Sequence, residues 1–205
     1  MDVAATRRAL HAIAEYVLAG PQYATSGTIR LRVTQGGIAT VAEPAIRVEG
    51  TDIVHADRRI ALDGHSAAAI ADALGVAPRP LADVYADTCG VPIDQPLTFD
   101  AAVASYLAQC FAAGDAALRR IAPTAPPTLW PEHFDVGISL DEVNYGVSPG
   151  DAHIDEPYAY VGPWQVPPGD FWNESFGASM RLGPTPDVDA IVTFFETGRM
   201  AAAAG

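Results

Sequence analysis

The sequence predicts an α+β fold: a mainly antiparallel sheet with one long helix packed across it and shorter helices around it. Three observations carry that expectation. Short runs such as 28–34 and 134–147 alternate apolar and polar residues and are punctuated by Gly and Pro, the period of half-buried strands. Between Phe99 and Ile121 the apolar residues recur at helical spacing. The strand-like runs also cluster instead of alternating one by one with helices, which separates α+β from α/β.

At 205 residues and 49% hydrophobic, the chain is long enough for one well-buried core. A single domain over 1–205 is expected, with a helix–sheet–helix scaffold over 1–127 and an acidic, motif-rich half over 128–205. The net charge is −13, and every one of the twelve basic residues is Arg. A surface this acidic repels phosphate backbones, which argues against general nucleic-acid binding. From Pro131 onward twelve acids face two arginines.

No uninterrupted apolar run reaches the ~18 residues that span a bilayer, and the N-terminus lacks the layout of a signal peptide. A soluble, cytoplasmic protein is expected. Cys89 and Cys110 match neither a metal-ligand spacing nor a Cys-x-x-Cys motif, so both read as thiols, Cys110 as a small core residue.

The first element is a helix from about Thr6 to Leu18, with Leu10, Ile13, Ala14 and Val17 as its apolar stripe, Thr6 as N-cap and Gly20-Pro21 as its end. His11 borders the stripe and reads as a boundary or surface histidine. From Thr28 the period becomes two, with Ile29, Leu31 and Val33 inward and a turn at Gly36-Gly37. A meander follows: Ile46 and Val48 inward, a turn at 50–52, Ile53 to His55, a turn near Asp57, then Ile60 and Leu62 inward. Arg30, Arg32 and Arg47 fall on the outer side of that sheet. They read either as an anion-binding strip or as partners of the acidic second half.

His65-Ser66 opens a second helix, whose apolar face is read as Ala69, Ile70, Ala73 and Leu74, with Gly75 as stop. The stretch 76–97 holds four prolines and Cys89. A loop of that length needs a task as a lid, a covering segment or a connection. The long helix then carries Val103, Tyr106, Leu107, Cys110, Phe111, Gly114, Ala117, Leu118 and Ile121, with Thr98 or Asp100 as cap. Gly within this stripe predicts a close approach of another element, because Gly otherwise costs a helix about 1 kcal/mol relative to Ala.

The second half carries the chemistry. If Asp141-Glu142 closes a tight hairpin, Leu140 pairs with Val143, Ile138 with Tyr145 and Val136 with Val147, all on one face. The other face holds His133, Asp135 and Asn144 around Gly137, Ser139 and Gly146. This is either a shallow floor for a ligand or clearance for another element. DAHIDE at 151–156 is a carboxylate-rich loop with His153. Tyr158, Tyr160 and Trp164 alternate beyond it, Pro167-Pro168-Gly169 turns the chain before Phe171-Trp172-Asn173, and a last helix spans about Val188 to Ala203.

The runs WPEHFD, NYGVSPGD, EPYAYVGPW and FWN, spanning about Trp130 to Asn173, resemble the signature of a group of uncharacterised bacterial, largely actinobacterial, proteins. The resemblance implies an intact domain and a site region within this span. It transfers no catalytic role.

Four functions fit these residue types. A divalent-metal site would draw on His133, Asp135, His153 and Asp155 or Glu156, a donor set suited to Zn, Mn or Fe. Metal-free acid–base catalysis would pair Asp135 with Glu156, or a histidine with a carboxylate. A small-molecule site would use Tyr145, Tyr158, Tyr160, Trp164 and Trp172 as walls, with Asn144 and Asn173 as orienting groups. A protein-interaction surface, including that of a homodimer, would use exposed tryptophans and the Pro-rich loops. The sequence contains no nucleophile elbow, phosphate loop, dinucleotide fingerprint or zinc-protease motif. The leading expectation is a ligand-binding or interaction domain with a pocket beside residues 130–173. The alternative is an enzyme using His133, Asp135, His153 and Glu156.

Overall fold

The computed structural model describes residues 3–204, and the chain divides into two compact units. The first comprises the described residues up to Ala108 together with Leu129–Phe134; the second comprises Gln109–Thr128 and the residues from Asp135 onward. Both are α+β. In the first, strands β1 (Leu31–Thr34), β2 (Gly37–Thr40), β3 (Ile46–Glu49), β4 (Asp52–His55), β5 (Arg58–Ala61) and β6 (Thr128–Trp130) run in the order β6-β1-β2-β3-β4-β5. In the second, β7 (Asp135–Leu140), β8 (Val143–Ser148), β9 (Tyr158–Pro163) and β10 (Ala178–Arg181) run in the order β10-β9-β8-β7. Neighbouring strands within each unit pair antiparallel.

The meander follows the sequence reading closely. Ile46, Val48 and Ile53 are buried, and Ile46 stands opposite His55 while Val48 stands opposite Ile53. The outward arginines find partners within their own unit. Arg47 pairs with Glu49 two residues along its own strand at 2.5 Å, Arg32 donates to the Thr40 carbonyl at 3.2 Å, and Arg30 lies 5.6 Å from the Trp130 ring centre. On an antiparallel sheet residues i and i+2 share a face, so Glu49 meets Arg47 without help from a distant segment.

The N-terminal helix departs from expectation. Helix α1 (Val3–Ile13) begins before Thr6, continues as a π-helical segment over Ala14–Ala19, and passes through Gly20-Pro21 into α2 (Gly20–Ser26), which ends at left-handed Gly27. Thr6 is no cap; its buried hydroxyl accepts the Asp100 N–H at 2.9 Å. Pro21 has no N–H to offer the preceding turn, and the Tyr16 carbonyl five residues back accepts the Arg79 N–H instead. Residues 12–21 are buried on every side, so the apolar stripe describes only one of two covered faces.

The second cover is the Pro-rich stretch 76–97. The Arg79 N–H bonds the Tyr16 carbonyl at 3.1 Å, and the Tyr16 hydroxyl donates to the Val91 carbonyl at 2.8 Å. Buried Glu15 accepts the N–H groups of Leu81 at 3.2 Å and Cys89 at 2.7 Å. Glu15 is carried by the π-helical segment Ala14–Ala19. Gln22 clamps the other end, donating to the carbonyls of Thr28 and Arg30 and accepting from the N–H groups of Val41 and Ala42. All its polar atoms are thereby satisfied.

Helix α3 (Ala67–Leu74) is capped by Ser66 and stopped by left-handed Gly75 as expected. Its buried face is Ala67, Ile70, Ala71 and Leu74, while Ala69 and Ala73 are exposed. In so Ala-rich a helix the stripe is set by where Ile70 and Leu74 pack. Helix α4 (Ala101–Ile121) starts at Asp100, whose carboxylate accepts from the N–H groups of Ala102 and Val103. Within the second unit a Cβ on Gly114 would come within 2.7 Å of the Val147 side chain and 3.1 Å of Val136, so the helix lies directly on the apolar face of β7 and β8. By length and composition α4 is apolar enough to cross a membrane, yet half of that stretch is buried against the protein. Helix α5 (Val188–Ala203), capped by Asp187, buries Ile191, Val192 and Phe195.

Candidate functional site

The span 130–173 divides between the units at Phe134, and each part has its own chemistry. In the second unit the hairpin register is the expected one: Val136 opposite Val147, Ile138 opposite Tyr145, Leu140 opposite Val143. Asp141 and Glu142 both take positive φ, 52° and 62°, the geometry of a type I′ turn that matches strand twist. Asp135, Gly137, Ser139, Asn144, Gly146 and Ser148 therefore share the opposite face.

That face carries a residue of the chain itself. Tyr160 stands opposite Gly146 in β9, and a Cβ on Gly137 would lie 2.9 Å from its hydroxyl oxygen. The glycines make room for the Tyr160 ring, neither for a ligand nor for the long helix. The Tyr160 hydroxyl donates to the buried Asp135 carboxylate. Burial, then the Asp135 charge, pushes the phenol well above its usual range, so it serves as a donor and not as a base. Beside it, Tyr158 donates to Asp151 at 2.6 Å, with ring centres 6.3 Å apart; burial and Asp151 raise this phenol too.

The acidic loop is organised by Asp151, whose carboxylate accepts the N–H groups of His153 at 2.7 Å and Ile154 at 2.8 Å. His153 Nε2 lies 3.1 Å from Glu174, and the other Glu174 oxygen accepts the buried Ser179 hydroxyl at 2.8 Å. Ser179, with His153, holds the Glu174 carboxyl below its ordinary range. Glu156 pairs with Arg181 at 3.3 Å. Asp135, His153 and Glu156 thus each meet a different partner: a phenol, a glutamate and an arginine.

The predicted walls and orienting groups are spread in the same way. Tyr145 is core, edge-on to Phe195 at 5.8 Å. Trp172 packs edge-on against Phe171 at 5.0 Å. Asn173 bonds both the N–H and the carbonyl of Ser179, which fixes β10. Exposed Asn144 accepts from the Ser139 hydroxyl at 2.6 Å. Trp164 is 68% exposed and Val166 42% exposed, and the Trp164 N–H bonds the Glu142 carbonyl at the hairpin turn at 3.0 Å.

In the first unit His133 occupies a turn, not a strand position. Phe134 has φ of 51°, a left-handed conformation that breaks alternation before β7 begins, so the expected sharing of a strand face by His133 and Asp135 fails. The turn is braced twice: His11 Nε2 donates to the Pro131 carbonyl at 2.7 Å, and the His11 ring stacks on Phe134 at 5.2 Å and 6°. Burial lowers the His11 pKa, which keeps the ring neutral. At this turn Asp87, Glu132 and His133 each offer a ligand atom, all within 4.8 Å of one another. His133 was anticipated from its residue type. Glu132 adjoins it in WPEHFD, but Asp87 comes from the irregular loop and has no local signal beyond that loop's length.

The class defined by fold and site is an α+β protein of two antiparallel units, one bearing a histidine–carboxylate cluster and the other an exposed tryptophan beside an acidic hairpin. Comparison with protein-family models, with curated proteins and with solved structures finds no match.

Proposed function

We propose that the protein is an interaction module whose second unit docks a basic, apolar segment of a partner protein, and that it works in the cytoplasm. Trp164 carries this reading: the residue is 68% exposed, and its backbone is fixed by a bond to the hairpin turn. Tryptophan in such a position is the residue most able to anchor a contact, because it buries a large area at little entropic cost. Exposed Val166 extends the apolar area. Exposed Asp141 and Glu142 at the same turn supply charge that complements arginine or lysine on the partner. The small-molecule variant has less support, since Tyr160 covers the glycine floor and Tyr145, Trp172 and Asn173 are engaged in packing and strand fixation.

The test is a titration of the purified, tag-free protein with a synthetic peptide of alternating arginine and leucine, read by tryptophan emission and by calorimetry. Saturable binding is expected, weakened about tenfold or more by Trp164→Ala and by the Asp141→Asn, Glu142→Gln pair, with melting temperatures unchanged. Equal binding by Trp164→Ala sinks the reading. So does a homodimer in sedimentation velocity that Trp164→Ala dissociates, because the indole would then serve self-association.

A further inference from the structure

We propose that Asp87, Glu132 and His133 form a surface binding site for a divalent transition-metal ion in the first unit, independent of the peptide surface proposed above. One imidazole and two carboxylates are a donor set that takes Mn, Fe or Zn and leaves coordination positions for water. Ligand atoms on a shared ion at about 2.1 Å are spaced roughly 3–3.5 Å apart. The three donors lie within 4.8 Å of one another, so rotation of exposed side chains closes the remainder. His133 Nδ1 stands 3.9 Å from the Asp87 carboxylate, too far for a hydrogen bond and close to the spacing a bridging cation imposes.

The backbone beneath the donors is fixed. Glu132 and His133 are consecutive in the turn that His11 braces at Pro131 and at Phe134. Asp87 lies two residues before Cys89, whose N–H is held by the buried Glu15 carboxylate. Each ligand-bearing segment is therefore anchored to the N-terminal helix, α1 through His11 and the π segment through Glu15, which reduces the ordering cost of assembling the site.

An independent observation points the same way. Tyr85, 8% exposed, has a buried hydroxyl with no hydrogen-bond partner among the described residues. It stands on the same loop as Asp87, two residues before it. A buried donor left unmade costs about 1–3 kcal/mol, and a carboxylate ligand drawn inward by an ion would satisfy it. Hydrogen bonds of this kind orient ligating carboxylates and tune metal affinity.

Equilibrium dialysis and calorimetry of the tag-free protein against Mn²⁺ and Zn²⁺ test the site, with Co²⁺ visible absorption as a report of imidazole and carboxylate coordination. One equivalent is expected. Asp87→Asn, Glu132→Gln and His133→Ala should each abolish the Co²⁺ spectrum. Tyr85→Phe should weaken binding by about tenfold, and His153→Ala should leave it unchanged. All of these except Tyr85→Phe alter exposed or half-buried groups, so unchanged circular dichroism and melting certify folded protein. Stoichiometric binding that survives all three ligand substitutions, or the lack of any binding at millimolar metal, overturns the proposal. Neither result bears on the peptide surface, whose residues are unaltered.

Discussion

Each unit buries a carboxylate, and the two are held in opposite ways. Glu15 takes backbone N–H groups from Leu81 and Cys89, 66 and 74 residues away in sequence. Asp135 takes a phenol from Tyr160, 25 residues away across two neighbouring strand pairings. In the first unit the charge ties an irregular segment to a helix; in the second it fixes a ring on a sheet that is already hydrogen-bonded. The difference teaches that the first arrangement organises backbone, whereas the second refines a surface whose register exists without it.

Glu15→Ala breaks the comparison most severely. It strands one buried and one half-buried N–H group at once and should cost about 3–5 kcal/mol in urea unfolding, with faster proteolysis between residues 76 and 97. Gly146→Ala acts on the other side. Its Cβ would meet the Tyr160 ring and come within 2.6 Å of the Val136 carbonyl, an overpacking worth about 1–3 kcal/mol. A double-mutant cycle with Tyr160→Ala should recover part of that loss; additive effects would show that the ring is not the obstacle.

The smallest expected effect is a pH dependence. Burial lowers the His11 pKa from 6.5, so as pH falls the unfolded chain takes up its proton first. Stability is full above that value and declines as pH drops through it toward the folded pKa. His11→Phe, which preserves a ring against Phe134, should flatten this slope in melting curves taken between pH 7 and pH 5. An unchanged slope would assign it to other groups. Glu174 responds at lower pH: Ser179 and His153 depress its pKa, so its contribution is present at neutral pH and is lost as pH falls through the depressed value.

Much of the fold was legible because it rests on short-range periodicity. The β7–β8 register, the meander, the Asp100 cap and the Gly114 contact all follow from period and turn chemistry. Strands β2, β6 and β10 went unseen because GIAT, TLW and ASMR are too short to show alternation, and β10 depends on Asn173 and on pairing with β9. The candidate site was legible only in part. Residue type marked His133, but the αL conformation of Phe134 removed it from the face it was expected to share with Asp135.

By itself the sequence determined the α+β class, the register of the hairpin that displays Asp141 and Glu142, and the concentration of carboxylates and aromatic rings after Trp130. Those properties are local: side-chain alternation, positive-φ turns and composition act within a few residues. Only the tertiary structure decided that Glu15 is buried, that Tyr160 fills the space over Gly137 and Gly146, and that Asp87 stands beside Glu132 and His133. Each of these needs a partner brought from 14 to 74 residues away, and no periodicity in the chain encodes which distant group will arrive.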